Sequence, residues 1–312
     1  MCLKLFFFIQ FLSFSVVLKA SDKIGITQII GHPAFDRNLK GIQDTLEKNG
    51  IKKEDIEFQS AQGSPTLAAE IARRFSRDRK IVITMGTASS QAFLPFQNKK
   101  ELKVVFTSVT DPLGARLLKN LQAPEGNITG ISNNVSALKQ LQYMKKVLGR
   151  QNFKLGILYN PGDSNSLSAL RETENAGKNE GILIVKAPAN KLPDMLSATQ
   201  KLIKEVDVIF VNNDNLALSA LSSIVLIAEK AMKPVFSSDV DTLSLGVLGA
   251  LGADQYELGC QTANMVLTLL GGKSVSSIPV AYPEKVIPSI NRIQAKKLGI
   301  QIDEESLKNL KL

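Results

Sequence analysis

From Lys23 onward the chain alternates short apolar runs with stretches in which apolar residues recur every third or fourth position. Ile24–Ile30 reads as a first strand. Phe35, Leu39, Ile42 and Leu46 follow at helical spacing, and Asn49-Gly50 supplies a stop. Ser64-Pro65 caps a second helix that carries Leu67, Ile71 and Phe75 on one face. Strand-like runs recur at Ile81–Met85, Val104–Thr107, Ile128–Ile131, Leu155–Tyr159, Ile182–Val185, Val208–Val211 and Val235–Ser237. Helical patterns separate most of them, as at Leu138/Leu141/Leu148, Leu167/Leu170 and Leu216–Glu229. Uninterrupted apolar strands alternating with helices predict α/β architecture, with parallel sheets covered on both faces.

A chain of 312 residues suits two lobes better than one sheet of this many strands. Three extended stretches rich in Gly and Pro, at Gly126–Asn134, Gly249–Gln255 and Ile278–Asn291, are the places to cross between them. Each lobe is then discontinuous in sequence, with a cleft between. The expected division is 21–131 with 254–280 for lobe 1, and 132–253 with 281–312 for lobe 2. The first twenty residues stand apart: a basic start ending at Lys4, the uncharged run Leu5–Leu18, then Lys19-Ala20. That run is short for a membrane span and fits the core of a signal peptide over residues 1–20, and hence an exported, periplasmic protein. Cys2 is upstream of the run, so cleavage leaves Cys260 without a disulfide partner.

Composition narrows the picture further. With 44% hydrophobic and 21% charged residues, the chain is neither disordered nor a disulfide scaffold. The net charge of +9 comes from lysines and arginines spread through the helices; with no Trp and 6% aromatics it does not point to nucleic acid.

In open parallel sheets, ligands sit beyond the carboxyl ends of the strands, so the residues just past each strand matter most. Here these segments are Gly31-His32-Pro33-Ala34-Phe35-Asp36, Gly86-Thr87-Ala88-Ser89-Ser90-Gln91, Ser108-Val109-Thr110-Asp111-Pro112, Asn160-Pro161-Gly162-Asp163-Ser164-Asn165-Ser166, Asn212-Asn213-Asp214-Asn215 and Ser238-Asp239-Val240-Asp241. Any one of them can serve only to cap a helix. Six on facing edges read as the lining of a polar cleft. N–H groups at a helix start, as at Gly86-Thr87-Ala88-Ser89, suit a carboxylate. Asp239, Asp214 and Asp111 are the candidates to face a cation, so the combination suits a zwitterion.

Catalysis finds less support. His32 is the single histidine, there is no zinc spacing and no Gly-x-Ser-x-Gly turn, and no nucleophile is paired with a base. Gly272-Lys273-Ser274 lacks the glycine that a phosphate loop needs, because Leu267 stands in its place. Gly246, Gly249 and Gly252 read as points of close backbone approach in a crossing strand. No cofactor is expected.

Taken in order, Gly31-His32-Pro33-Ala34-Phe35-Asp36, Ala61-Gln62-Gly63, Gly86-Thr87, Val109-Thr110-Asp111-Pro112, Gly126-Asn127-Ile128-Thr129-Gly130-Ile131-Ser132, Tyr159-Asn160-Pro161-Gly162, Asp214-Asn215 and Phe236-Ser237-Ser238-Asp239 resemble the substrate-binding components of ABC transporters. The group concerned includes tryptophan- and phenylalanine-binding proteins. The resemblance implies the type I periplasmic binding protein fold, two Rossmann-like lobes joined by three crossovers. It implies a monomer that captures a small ligand by closing its lobes and delivers it to a membrane permease. On that reading Thr87, Ser89 and Thr110 grip a carboxylate and Asp239 or Asp214 pairs with an amine. Asn160, Ser164 and Asn165 close from the second lobe, while His32 and Gln62 shape the rim. Gly31 stands where the resemblance leads one to expect an acid. A sensory receptor of the same fold, or an enzyme on it, are the alternatives.

Overall fold

A computed structural model describes residues 23–303; the expected signal peptide lies outside the described residues. The first sheet has five parallel strands in the order β2-β1-β3-β4-β5: β1 (Ile24–Gln28), β2 (Ile56–Ser60), β3 (Ile81–Met85), β4 (Lys103–Val109) and β5 (Ile128–Ser132). Every residue of β1, β3 and β5 is buried, as strands covered on both faces must be, whereas the edge strand β2 is half-buried. Between these strands run α1 (Pro33–Lys48), α2 (Pro65–Asp78) and the short α3 (Thr87–Gln91).

The second sheet has six strands, ordered β11-β10-β9-β8-β6-β7. They are β6 (Lys154–Tyr159), β7 (Leu183–Pro188), β8 (Val208–Val211), β9 (Val235–Ser237), β10 (Gly249–Ala253) and β11 (Val286–Ile290). Only β11 runs antiparallel, against β10. The helices of this lobe are α4 (Ala137–Leu148), α5 (Ser164–Glu180), α6 (Leu192–Leu202), α7 (Asn215–Ser219), α8 (Leu221–Lys230) and α10 (Arg292–Lys297). The sixteen-residue α9 (Gln255–Leu270) returns to the first lobe, where Leu258, Val266 and Leu269 join Ile42 and Leu46 of α1 in one core.

The chain therefore passes between lobes three times: after β5, after β10 and between α9 and β11. An isolated parallel bridge between Ile131 and Ala281 ties two of these passages together. The return of α9 needs glycine at the helix crossing: a Cβ on Gly41 would lie 2.1 Å from the Tyr256 carbonyl oxygen, and one on Gly259 2.1 Å from that of Asn38.

Several elements differ from the sequence reading. β2 is not apparent from the hydrophobic pattern, because as an edge strand it mixes Glu57 and Gln59 with Ile56 and Phe58. Gly249–Ala253 is a sheet strand rather than only a connection. Its glycine has the purpose expected, since a Cβ on Gly252 would sit 2.0 Å from the Ser238 carbonyl oxygen. The helix read over Leu216–Glu229 is two helices that break at Ala220. The first strand ends at Gln28, so Ile29 and Ile30 leave the sheet.

Candidate functional site

Each sheet has one point at which consecutive connections turn off in opposite directions, between β1 and β3 in the first and between β6 and β8 in the second. Loops diverge there and leave a crevice at the carboxyl ends of the strands. Those loops carry His32 and Gly86-Thr87 on one lobe, and Asn160–Ser166 with Asn212–Asn215 on the other. They meet across a cavity of about 180 Å³, lined from lobe 1 by Ile29, Ile30, Gly63, Pro65, Ala88 and Gln91, and from lobe 2 by Asn160, Gly162, Asp163, Asn190, Asn215 and Leu216. A narrower space beside it is lined by His32, Phe35 and Ser108 of lobe 1 and by Asn165, Asn213 and Asn215 of lobe 2.

The lobes also touch directly. Gln91 Nε2 donates to Ser164 Oγ at 3.3 Å, and Ser168 Oγ donates to Asp111 Oδ2 at 2.8 Å. The Arg37 guanidinium lies 3.5 Å from Asp241. The Ala34 N–H, in the first turn of α1, faces the Asp239 carboxyl.

Several buried polar atoms in and beside these loops have no protein hydrogen-bond partner: the Gln28 Oε1, the hydroxyls of Thr87 and Ser89, the Asn165 Oδ1 and the Asp239 Oδ2. Buried groups left this way cost about 1–3 kcal/mol each, so several of them are informative. Burial lowers the His32 pKa to about 4, with Asn215 alongside opposing the shift, so the ring is neutral. Its ring packs on Phe35 at 4.1 Å between centroids. Burial raises Asp239 to about 7; the N–H of Asp241 works against that shift, the charge of Asp241 adds to it, and the Ala34 N–H again opposes it. Asp163 rises to about 6, through burial and then the charge of Asp214.

The expected site residues separate into groups. His32 and Asn165 face each other across the narrower space, Asp239 meets the first turn of α1, and Asn160 and Ser164 approach from lobe 2; Thr87 and Ser89 are buried on α3, the helix that also carries Ala88 and Gln91 of the cavity wall. Asp214 has another task. Its Oδ1 accepts the Ala217 N–H at 2.8 Å as the α7 cap, and its Oδ2 accepts the Asn160 N–H at 2.6 Å and the Ser166 hydroxyl at 2.5 Å. With those oxygens occupied, Asp214 braces the lobe 2 loops and is not free to pair with an amine. Thr110 and Asp111 lie on the hinge flank: the Thr110 hydroxyl donates to Asn133 at 3.0 Å, and Asp111 takes the clasp to Ser168. They line a separate groove with Asn134 and Tyr282. Gln62 is exposed, with φ at +51°, and its neighbours Gly63 and Pro65 line the cavity in its place.

The residues that sequence reasoning missed are Gln28, Gln91, Asp163, Asn215 and Ser108. All but Gln28 stand inside clusters already singled out, without having been named as site residues. Ser108 has φ at +55°, held by Asn38 Nδ2 on its hydroxyl and by its own donation to Gln255 Oε1, both at 3.2 Å. Nothing local announces that turn.

Two facing switch-point crevices, with triple connections between the lobes, describe a protein that closes on what it binds. The sequence profile of the ABC transporter substrate-binding proteins matches residues 23–311. The chain belongs to that family.

This substrate-binding protein is 30% identical over 298 residues to a tyrosine-binding protein of Clostridioides difficile, an alignment covering 94% of this chain and 86% of the relative. Among solved structures it resembles a conserved domain protein from Vibrio cholerae, with 33% identity, a TM-score of 0.87, and coverage of 92% of this chain and 98% of the other. A Streptococcus pneumoniae protein in complex with L-Trp gives 28% identity and a TM-score of 0.87, with coverage of 93% and 98%. The ligand-free, open structure of a Clostridium difficile substrate-binding protein, at 31% identity and with coverage of 91% and 96%, superposes less well, with a TM-score of 0.69. The fold is that of the type I periplasmic binding proteins. The family binds substrates for ABC importers and does not convert them; it works outside the cytoplasm with a transmembrane permease.

Proposed function

We propose that this protein captures a free α-amino acid with a ring-bearing side chain, closes on it, and presents it to the permease. One observation carries the reading. Among the unpartnered buried atoms are two neutral hydroxyl donors on lobe 1, Thr87 and Ser89, and on lobe 2 one carboxylate oxygen, Asp239 Oδ2. A ligand with an anionic and a cationic end satisfies both lobes only when they are shut, which is what favours closure. The side chain then occupies the neighbouring cavity. At about 180 Å³, that cavity is somewhat larger than the ~150 Å³ apolar cavity known to accept benzene. The tyrosine-binding and L-Trp-bound relatives support the same class of ligand.

On this reading Thr87 and Ser89 hold the carboxylate, Asp239 pairs with the ammonium, and Asn165 and Ser164 complete the lobe 2 side. Residues 1–20 act as the signal for export to the periplasm, and the mature protein is a monomer. The test is a thermal-shift panel of the common amino acids followed by calorimetry, since a ligand of the native state alone raises its melting temperature. Tyrosine or tryptophan should bind, and tyramine and N-acetyl-tyrosine, each lacking one charged end, should not. A sugar or polyol that binds where no amino acid does would overturn the reading.

A further inference from the structure

We propose that Asp163 is a specificity-determining residue, selecting ligands whose side chain ends in a hydrogen-bond donor, a phenol or an indole, over a plain phenyl ring. The inference rests on the amino-acid reading above and adds to it which side chains the cavity prefers.

The cavity has two characters. Ile29, Ile30 and Pro65 from one lobe and Leu216 from the other form apolar walls suited to the faces of a ring. Asn160, Asp163 and Asn215 make the lobe 2 side polar. Asp163 is the one ionisable residue in the lining. An ionised carboxylate only accepts hydrogen bonds, with about four lone-pair sites to offer. The protein engages most of them: Oδ1 accepts the Asn165 N–H at 2.9 Å, the Ser166 N–H is a further donor to the carboxyl, and Oδ2 has only a long contact of 3.4 Å from Asn215 Nδ2.

The polar neighbours are neutral and partly engaged. Asn160 Oδ1 accepts the Gly162 N–H at 2.9 Å, and Gln91 Nε2 divides between Ala115 O at 3.1 Å and Ser164 Oγ at 3.3 Å. A ring entering this space meets, at Asp163, the lining's one charged acceptor, and the long contact on its Oδ2 leaves room for a stronger donor. A phenol O–H or an indole N–H fills it. A phenyl edge takes water from the carboxylate and returns no hydrogen bond, which is the arrangement a polar site penalises most.

Asp163 also caps α5, and capping alone would explain its presence. The substitution Asp163→Asn separates the two roles, because asparagine caps as well as aspartate. With its Oδ1 kept on the Asn165 N–H, the new amide turns an NH₂ group towards the ring in place of Oδ2. An indole N–H, which cannot accept, then faces a donor, whereas a phenol can turn and accept from it.

Calorimetry on the full mature protein with L-tyrosine, L-tryptophan and L-phenylalanine makes the test. Wild type should bind tyrosine and tryptophan about 10- to 100-fold more tightly than phenylalanine, the range expected of one hydrogen bond to a charged group. Asp163→Asn should bring those ratios close to one, with tryptophan losing most and phenylalanine nearly unchanged. Asp163→Ser, which keeps a capping oxygen but not the charge, should also lose the preference while holding its melting temperature. Equal weakening of all three ligands would overturn the proposal and place Asp163 on the ammonium or in a purely structural role. Unchanged ratios would leave it a helix cap and nothing more. In both of those outcomes the amino-acid reading stands, whereas failure of wild type to bind any amino acid removes both.

Discussion

The hydrogen bond from Ser168 to Asp111 crosses the seam on the hinge flank, away from the cavity. Replacing Ser168 with alanine therefore changes the cost of closing without touching the ligand. The bond is short, at 2.8 Å, and its acceptor is a carboxylate, which would place it at about 1.5–3 kcal/mol. Both side chains are only part-buried, so water replaces much of what is lost, and about 1 kcal/mol is the better figure. Asp111 is not stranded by the change, because its other oxygen still accepts the Gly114 N–H at 2.8 Å. Apparent affinity scales with the fraction of molecules able to close, and a cost of about 1 kcal/mol lowers it roughly 5-fold. The factor should be the same for every ligand. Calorimetry with a strong and a weak amino acid reads both numbers, and small-angle scattering of the apoprotein should show a more open average. A change in the ratio between ligands would refute the reasoning, since it would place Ser168 against the ligand. An unchanged affinity for both would show that the clasp does not bear on closure.

Other consequences stem from the seam. Thr87→Ala with Ser89→Ala removes two hydroxyls that no protein group satisfies, so the double variant should melt no lower than wild type while binding an amino acid at least 10-fold more weakly. Burial places the Asp239 pKa at about 7, above the ordinary carboxylate value, and two consequences have opposite signs. The folded protein holds a proton that the unfolded chain releases, so this carboxyl's contribution to stability falls as pH rises from about 4 to about 7, and denaturant titrations of Asp239→Asn should lack that slope. An ammonium ligand needs the ionised form, so affinity should rise about tenfold between pH 6 and pH 8, and the variant should lose that rise along with much of its affinity. Gly259→Ala drives a Cβ to 2.1 Å from the Asn38 carbonyl oxygen at the crossing of α1 and α9; it should cost about 1–3 kcal/mol, seen as a melting temperature lower by several degrees.

The chain's local patterns determined a good deal. Buried parallel strands are largely apolar on both faces, so β8 stands out as an uninterrupted run and β3 as one broken only by Thr84, and the helices between strands keep their period. The short polar residues after those strands mark the ligand edge, because loops beyond the carboxyl ends are where such a sheet diverges. Thr87, Ser89, Asn165 and Asp239 were singled out on that ground. What the tertiary structure alone decided is which of those side chains were left free. Asp214 and Asp239 both come after lobe 2 strands as Asp-x-x runs, and nothing within either cluster separates them. Only the arrival of the Asn160 N–H and the Ser166 hydroxyl, 54 and 48 residues away, uses up Asp214. Asp111 likewise looks like a cap in sequence and becomes a clasp because Ser168, near the start of α5 on the other lobe, reaches it. Hydrophobic periodicity records which face of an element is covered. It carries no record of which polar atoms, distant along the chain, will meet when two lobes shut.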